Sequence, residues 1–157
     1  MKTKNIYALP ISRCHILRIS KRESPAHVGP LKQSIDFIVP QGLPVKAALD
    51  GVVIDLKDGS TRGGTTKKFE KHGNFVEIKH KNGEYSIYEH LRKGLCVKLY
   101  DNVKKGQTIG YTGATGWLAH LGPHLHFMVG IYNYRTLEIR FEKERFAKAL
   151  KPNGKNG

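Results

Sequence analysis

The chain has 157 residues, which is enough for one domain with a hydrophobic core. Lysine and arginine number 27 against 13 acidic residues, and the formal net charge of +14 favours a nucleic acid, an anionic membrane surface or an acidic cell-wall polymer as partner. The sequence carries no nucleic-acid-binding fingerprint, so we do not expect nucleic acid among the partners. No apolar run approaches the roughly 18 residues of a membrane helix, so no membrane span is expected either.

Turn residues recur at short intervals and helical periodicity is scarce, which predicts a mostly β domain. Residues 1–20 are predicted as an N-terminal arm. They lack the continuous apolar segment of a signal peptide, so we expect export by another route or a leader outside this chain. Strands are predicted, in chain order, over 51–57, 74–80, 84–91, 96–99, 107–113, 124–133 and 135–141. The sequence Lys81-Asn82-Gly83 between two of them predicts a hairpin turn.

The remaining segments are polar or helical in pattern. Residues 57–73 are rich in glycine, threonine and lysine and are predicted as a long, mobile loop. Only residues 141–150 favour a helix, and 151–157 are predicted as a frayed tail. Without an internal repeat or linker, residues 1–150 are predicted as a single domain. Cys14 and Cys96 belong to no CxxC pair, and they form either one disulfide or two buried thiols.

Two histidines stand on either side of one leucine in the run "GPHLHFMVG". In an extended strand successive side chains point to opposite faces, so His124, His126 and Met128 share one face. Leu125, Phe127 and Val129 share the other face, which is predicted to pack against the core. The strand therefore brings two imidazoles together on a rigid element.

A zinc site requires nitrogen, sulfur or carboxylate donors, usually three from the protein when it is catalytic. His126 is one candidate, and His27 and Asp36 are two more, separated by nine residues. Asp36 lies between Ile35 and Phe37 in an apolar strand. A buried carboxylate without a partner is costly, and either a metal or a lysine or backbone group can supply that partner.

His90 ends the second hairpin strand and is predicted on the same face as Tyr88 and Ser86. With His124 it forms a second imidazole pair, suited to acid–base catalysis near neutral pH. The other histidines are interpreted as structural: His15, His72, His80 and His120. The chain has no HExxH helix, phosphate loop or GxSxG elbow, so any metal would be held by strands and loops.

The chain resembles the lysostaphin-type (LytM-like) zinc metallopeptidases from about residue 7 to 130. In the same order it carries "HVGPLKQSIDFIVPQGLPVKAALDGVVIDLK", "GNFVEIKHKNGEYSIYEHL", "VKKGQTIGYTGATGW" and "GPHLHF". The resemblance implies a compact antiparallel β-sheet of barrel-sandwich type with a substrate groove. It also implies cleavage of peptide bonds in bacterial peptidoglycan, and hence a periplasmic or extracellular location at the cell wall.

The same resemblance implies a site. His27, Asp36 and His126 would bind Zn²⁺, and His90 and His124 would be the catalytic pair, one taking a proton from water and the other stabilising the oxyanion. Many members place the first histidine four residues before the aspartate, where this chain has Lys32. That departure leaves open a catalytically inactive cell-wall-binding or regulatory module. A lipoyl-like carrier domain is supported only by "GVVIDL" and "VKKGQTIG", and it leaves the histidines unexplained.

Overall fold

Strands provide most of the regular structure, as the short apolar runs and frequent turn residues predict. The structure, a computed structural model, describes residues 1–21, 24–119, 121–132 and 135–143. Within these residues the strands are β1 (Arg18–Ser20), β2 (Ile35–Ile38), β3 (Pro44–Lys46), β4 (Gly51–Lys57), β5 (Gly63–Gly64), β6 (Asn74–Lys79), β7 (Glu84–Leu91), β8 (Asn102–Val103), β9 (Thr108–Tyr111), β10 (Gly116–Trp117), β11 (His124–Ile131) and β12 (Arg135–Thr136). Short 3₁₀ helices lie at Arg13–His15, Gly29–Leu31, Lys67–His72 and Lys81–Gly83. The predicted mostly β fold is confirmed.

The main sheet is antiparallel throughout, with its strands in the order β1-β2-β11-β7-β6-β4-β8. Strand β12 pairs with the end of β11, beyond the part that pairs with β2. Two small sheets, β3 with β9 and β5 with β10, complete the strand pairing. Strand β11 therefore has hydrogen-bonded neighbours on both sides, and its side chains lie in the interior of the sheet.

The hydrophobic core covers one face of this sheet. Phe127 of β11 is fully buried, and the centroid of its ring lies 5.1 Å from that of Tyr88 and 6.2 Å from that of Phe141. Other strands add Val45 and Ile109, and the predicted N-terminal arm adds Tyr7, Leu9 and Ile11. Burying a side chain of this size contributes about 1.5–3 kcal/mol, so the core fixes which face of β11 points inward.

The predicted hairpin joins β6 to β7. Asn82 and Gly83 have φ values of 64° and 70°, in the left-handed region that asparagine and glycine tolerate best. Lys79 pairs with Tyr85 directly after the turn. The Asn-Gly turn thus sets the register of the two strands, and the prediction is confirmed.

The strand predicted over 96–99 is wrong. The backbone N–H of Cys96 donates one hydrogen bond to the carbonyl of Ile109, at 3.0 Å, but no ladder follows. The chain turns at Tyr100, whose φ is 71°. A four-residue run is too short to distinguish a strand from a turn by its pattern alone.

The strand predicted over 135–141 is correct only for its first two residues, which form β12. Further along, Glu138 and Phe141 form isolated bridges to Lys2 and Tyr7. The segment therefore returns beside β11 only at its start, and its later residues contact the N-terminal residues instead.

The segment 57–73, predicted as a long loop, contains β5 and the 3₁₀ helix Lys67–His72. Gly63 lies so close to Ala114 that an added Cβ would come within 1.8 Å of the Ala114 carbonyl oxygen. Only glycine permits this approach, which allows β5 to pair with β10. Glycines that predict flexibility in the sequence serve here to pack two backbones together.

Cys14 and Cys96 are free and exposed, so neither the disulfide nor the burial expected for them is found. Residues 144–150 of the predicted C-terminal helix and the predicted tail 151–157 lie outside the described residues. In the described ranges, no helix combines the length and apolarity needed to cross a membrane.

Candidate metal centre

His124 and His126 project from β11 onto the face of the main sheet opposite the core. In the register of the sheet, His126 pairs with Asp36 of β2 on one side and with Glu89 of β7 on the other. Directly paired residues of neighbouring strands project to the same face. Leu125, between the two histidines, is fully buried in the core. The predicted alternation along β11 is confirmed, and it places an imidazole beside a carboxylate.

The three predicted ligand residues converge on one point. His126 Nδ1 lies 2.8 Å from Asp36 Oδ1 and 3.3 Å from His27 Nε2. His27 Nε2 lies 3.2 Å from the same carboxylate oxygen. All three residues are buried. The 3₁₀ helix Gly29–Leu31 follows His27 and shortens the path back to β2, so the nine-residue spacing is compatible with direct contact.

Backbone and side-chain hydrogen bonds orient the donor atoms of this trio. His27 Nδ1–H donates to the carbonyl of Lys21, which leaves the Nε2 lone pair facing Asp36. Burial opposes ionisation of Asp36, but the hydrogen bond from His126 and the proximity of the surrounding imidazoles outweigh it and hold its pKa well below its usual range. Its second oxygen, Oδ2, is buried and has no hydrogen-bond partner among the described residues. Two imidazole nitrogens and an ionised carboxylate with a spare oxygen are a donor set that fits Zn²⁺.

His90 and His124 form a second group beside the trio. Their ring centroids lie 4.5 Å apart, and one nitrogen from each lies within 4.8 Å of a nitrogen of His126. His124 Nδ1–H donates to the carbonyl of Gly122 at 2.8 Å, and His90 Nδ1–H donates to that of Thr115 at 2.7 Å. Burial, followed by the proximity of the other imidazoles, lowers the pKa of His90 to about 3, and burial also lowers the pKa of His124. Both rings are neutral near pH 7, with Nε2 available to accept a proton.

The predicted orientation of His90 is wrong. Ser86 and Tyr88 face the core, whereas His90 faces His126 on the opposite side of the sheet. The pairing of β6 with β7 skips one residue here, and φ of His90 is 65°. This β-bulge reverses the alternation for a single residue. A non-glycine residue in this conformation costs about 1–2 kcal/mol, so the surrounding structure must hold it in place.

Asn74 holds the bulge. Its side-chain Nδ2 donates to the carbonyls of Leu91 (3.1 Å) and Ser60 (2.9 Å), and its Oδ1 accepts from the N–H of Ser60 (3.0 Å). Its backbone N–H donates to Oγ1 of Thr115, the residue whose carbonyl accepts from His90. Asn74 is fully buried, and its hydrogen bonds link Leu91, the residue after His90, to Thr115 and Ser60. Sequence analysis missed this role, and its only signal is an asparagine at the start of a strand, where asparagine is depleted.

A groove of about 480 Å³ opens over the imidazoles. His90, His126 and Met128 lie on its floor. Trp117 and Lys67 form part of one wall, with the Lys67 ammonium 5.9 Å from the centroid of the indole ring. The segment 57–73 thus supplies a wall of the groove, and the imidazoles are reachable from solvent along it.

Three of the histidines interpreted as structural, His15, His72 and His80, do not join this cluster. His80 belongs to a separate, buried hydrogen-bond network. Its Nε2 lies 2.7 Å from Ser86 Oγ, and its Nδ1–H donates to the carbonyl of Asp50 at 2.8 Å. His72 contacts Phe69, and His15 is exposed. His120 lies outside the described residues.

An antiparallel β domain with a buried His-Asp-His cluster under a groove is typical of a metal-dependent hydrolase. The profile of Peptidase family M23 matches residues 31–137, more than half of the chain, and the chain therefore belongs to this family. The predicted resemblance to lysostaphin-type peptidases is confirmed.

Individual relatives agree with this assignment. Peptidoglycan DD-endopeptidase ShyC of Vibrio cholerae is 39% identical over 132 residues, which cover 78% of this chain and 28% of ShyC. Among solved structures, a zinc-containing peptidase from Vibrio cholerae aligns with a TM-score of 0.61 at 30% identity, covering 85% of this chain and 39% of that one. The catalytic domain of lysostaphin from Staphylococcus simulans aligns with a TM-score of 0.51 at 30% identity, covering 66% and 72%. The chain spans less than a third of the length of ShyC.

Proposed function

We propose that this domain is a zinc-dependent endopeptidase that hydrolyses peptide bonds in the stems or cross-bridges of bacterial peptidoglycan. The observation that carries the proposal is that a His-Asp-His trio and two neutral imidazoles converge in two clusters that share His126, with His90 and His126 on the floor of a groove. Membership of Peptidase family M23 and similarity to a peptidoglycan DD-endopeptidase support the substrate class. The proposed place of action is the cell wall, in the periplasm or outside the cell.

In this proposal His27 Nε2, Asp36 and His126 Nδ1 hold the metal. Zinc bound there supplies Lewis acidity, which polarises a peptide carbonyl and acidifies water. Asp36 is ionised across the physiological pH range and contributes the negative charge of the ligand set. The Lys21 carbonyl accepts from His27 Nδ1–H, which directs Nε2 toward the metal position.

His90 and His124 are the proposed catalytic pair. Each is neutral and presents Nε2 as an acceptor, because its Nδ1–H is committed to a backbone carbonyl. Either ring is placed to accept a proton from an attacking water. Once protonated, its Nε2–H donates a hydrogen bond to the developing oxyanion or to the leaving nitrogen. The two backbone hydrogen bonds hold the rings in this orientation before substrate binds.

Cationic side chains favour an anionic polymer as the environment of the substrate. Lys57, Lys67 and Lys71 line the groove, and the chain carries a net charge of +14. Attraction of this kind acts over about a Debye length, roughly 8–10 Å near physiological ionic strength, and weakens as salt is added. We propose that carboxylates or phosphates of the wall concentrate the protein at its substrate.

The alternative of an inactive binding module was motivated by the unusual spacing between His27 and Asp36. In the structure their side chains lie 3.2 Å apart, so the longer spacing does not remove a donor from the trio. No observation in the described part of the chain favours that alternative.

Peptidoglycan sacculi provide the direct test. Zinc-loaded protein is incubated with sacculi, with and without a chelator, and the released fragments are analysed by mass spectrometry. We expect new amino termini that disappear with chelator and return when zinc is added back. Intact stems after incubation with folded, zinc-loaded protein would contradict the peptidase assignment.

A second prediction concerns the bulge. Asn74→Ala is expected to lower kcat by about 10- to 100-fold while KM and zinc content stay within about twofold, because the loss acts on the orientation of His90. Nitrogen NMR should show that Nδ1 of His90 loses its fixed tautomer. Asn102→Ala, at an exposed asparagine of β8, is the matched control and should change neither quantity. A variant that loses zinc or unfolds would show a general structural role in place of a positioning role.

A further inference from the structure

A second cavity lies on the same face of the main sheet as the metal groove. It has a volume of about 480 Å³, and we call it the distal cavity. Most of its lining is apolar, including Ile87 and Ile131, and two carboxylates, Asp55 and Glu77, reach it from neighbouring strands. Met128 lines both the distal cavity and the groove over the imidazoles. The two spaces are therefore continuous parts of one surface.

The register of the sheet places the distal cavity relative to the metal ligands. Across four adjacent strands, Asp55 pairs with Glu77, Glu77 with Ile87, and Ile87 with Met128. This row lies two residues along β11 from the row that contains His126, an offset of about 7 Å. Glu77 is also two strands away from β11, so its Cα is about 12 Å from that of His126. Three to four residues of extended peptide span that distance.

The two carboxylates are the unusual feature of this cavity. In a chain with 27 basic residues, neither Asp55 nor Glu77 forms an ion pair within the described ranges. Lys57 lies two residues from Asp55, but its ammonium donates to the carbonyl of Lys71. Lys79 lies two residues from Glu77 and is exposed. The cavity therefore combines an apolar surface with negative charge that no cation of the described chain neutralises.

Glu77 is the more buried of the two carboxylates. Burial, and then the charge of Asp55, raises the pKa of Glu77. A ligand cation placed between the two side chains would relieve this repulsion and favour the ionised form of Glu77. An anionic or neutral ligand would not, so the charge of the cavity selects for a cation.

We propose that the distal cavity is a substrate subsite that binds a free amino group carried by a side chain of the peptide, within about four residues of the bond that is cleaved. The ammonium lies between Glu77 and Asp55, and the methylene groups of the same side chain pack on Ile87 and Met128. The inference rests on the proposed peptidase function, since it assigns part of the substrate of that site. It identifies a residue pair that discriminates between peptides with and without a free side-chain amine.

The test uses two synthetic peptidoglycan stem dimers that differ only in acetylation of the side-chain amine. For wild type, we expect acetylation to raise KM about tenfold with kcat within about twofold, because the interaction is lost equally in the ground and transition states. Glu77→Gln should raise KM about tenfold for the free-amine dimer and change KM for the acetylated dimer by no more than about twofold. Asp55→Asn should act in the same direction, by about threefold, since Asp55 is exposed. The matched control is Glu138→Gln, at an exposed glutamate paired with Lys2. It should change KM for neither dimer.

The outcomes separate the two proposals. If Glu77→Gln changes the KM for both dimers equally, or changes the KM for neither, the subsite proposal is wrong while the peptidase assignment stands. If wild type cleaves neither dimer, the peptidase assignment fails. The same dimers are then titrated by calorimetry into zinc-loaded wild type and Glu77→Gln. Tighter binding of the free-amine dimer that disappears in the variant supports the subsite, and equal or absent binding overturns it.

Discussion

Replacing His126 with alanine is expected to abolish stoichiometric zinc binding and to lower peptide hydrolysis by a factor on the order of a thousand or more. His126 Nδ1 is the donor closest to Asp36 Oδ1, at 2.8 Å, and it also lies within 3.3 Å of His27 Nε2. Removing it leaves two ligands and opens space at the centre of the proposed site. Zinc per chain is measured by mass spectrometry of the metal, and activity by release of peptide amino termini.

The controls for this variant address folding. Wild type treated with chelator gives the reference for a metal-free, folded chain, and His126→Ala should match its circular dichroism. His15→Ala removes an exposed imidazole and should retain both zinc and activity. If His126→Ala kept one zinc per chain at wild-type affinity, the ligand assignment would be wrong.

Replacing His124 with alanine is expected to leave zinc in place and to lower kcat by about 10²- to 10⁴-fold, the usual contribution of a positioned acid–base group. His124 is two residues from His126 on the same strand face, but its Nε2 lies 3.6 Å from Asp36 Oδ1, farther than either proposed imidazole ligand. Its Nδ1–H is held by the carbonyl of Gly122. The geometry thus places the Nε2 of His124 beside the trio.

The comparison of the two neighbouring variants is more informative than either alone. Both remove one imidazole from the same strand, and the expected difference lies only in the metal content. His90→Ala should behave like His124→Ala, because its ring lies 4.5 Å from that of His124 and is held by the Thr115 carbonyl. Equal loss of zinc from His124→Ala and His126→Ala would show that the proposed division of roles is incorrect.

Features that depend on simple alternation could be predicted from the sequence. Strand β11 has a regular period of two, so the common face of His124 and His126 follows directly from the order of residues. The Asn-Gly turn between β6 and β7 is equally local, since its backbone conformation suits these two residues. His27, Asp36 and His126 could be named as candidate donors from the sequence, but their convergence needed the family resemblance, because no local pattern brings together residues 99 positions apart.

Features that depend on long-range contact could not be predicted. The bulge at His90 reverses the expected side of that residue, and the contacts that hold it come from Asn74 and Thr115 in other strands or loops. The segment 57–73 has the composition of a loop, yet a close approach between Gly63 and Ala114 gives it a short strand. In each case a tertiary contact outweighs the local tendency of the sequence.

The chain distance between the proposed ligands has a consequence for biosynthesis. His27 and His126 are separated by 99 positions in the sequence. Asp36 contacts His126 only after β2 has paired with β11. A nascent chain that has not yet released β11 holds no more than two of the three donors. The complete trio can therefore form only after β11 has been synthesised and has paired with β2.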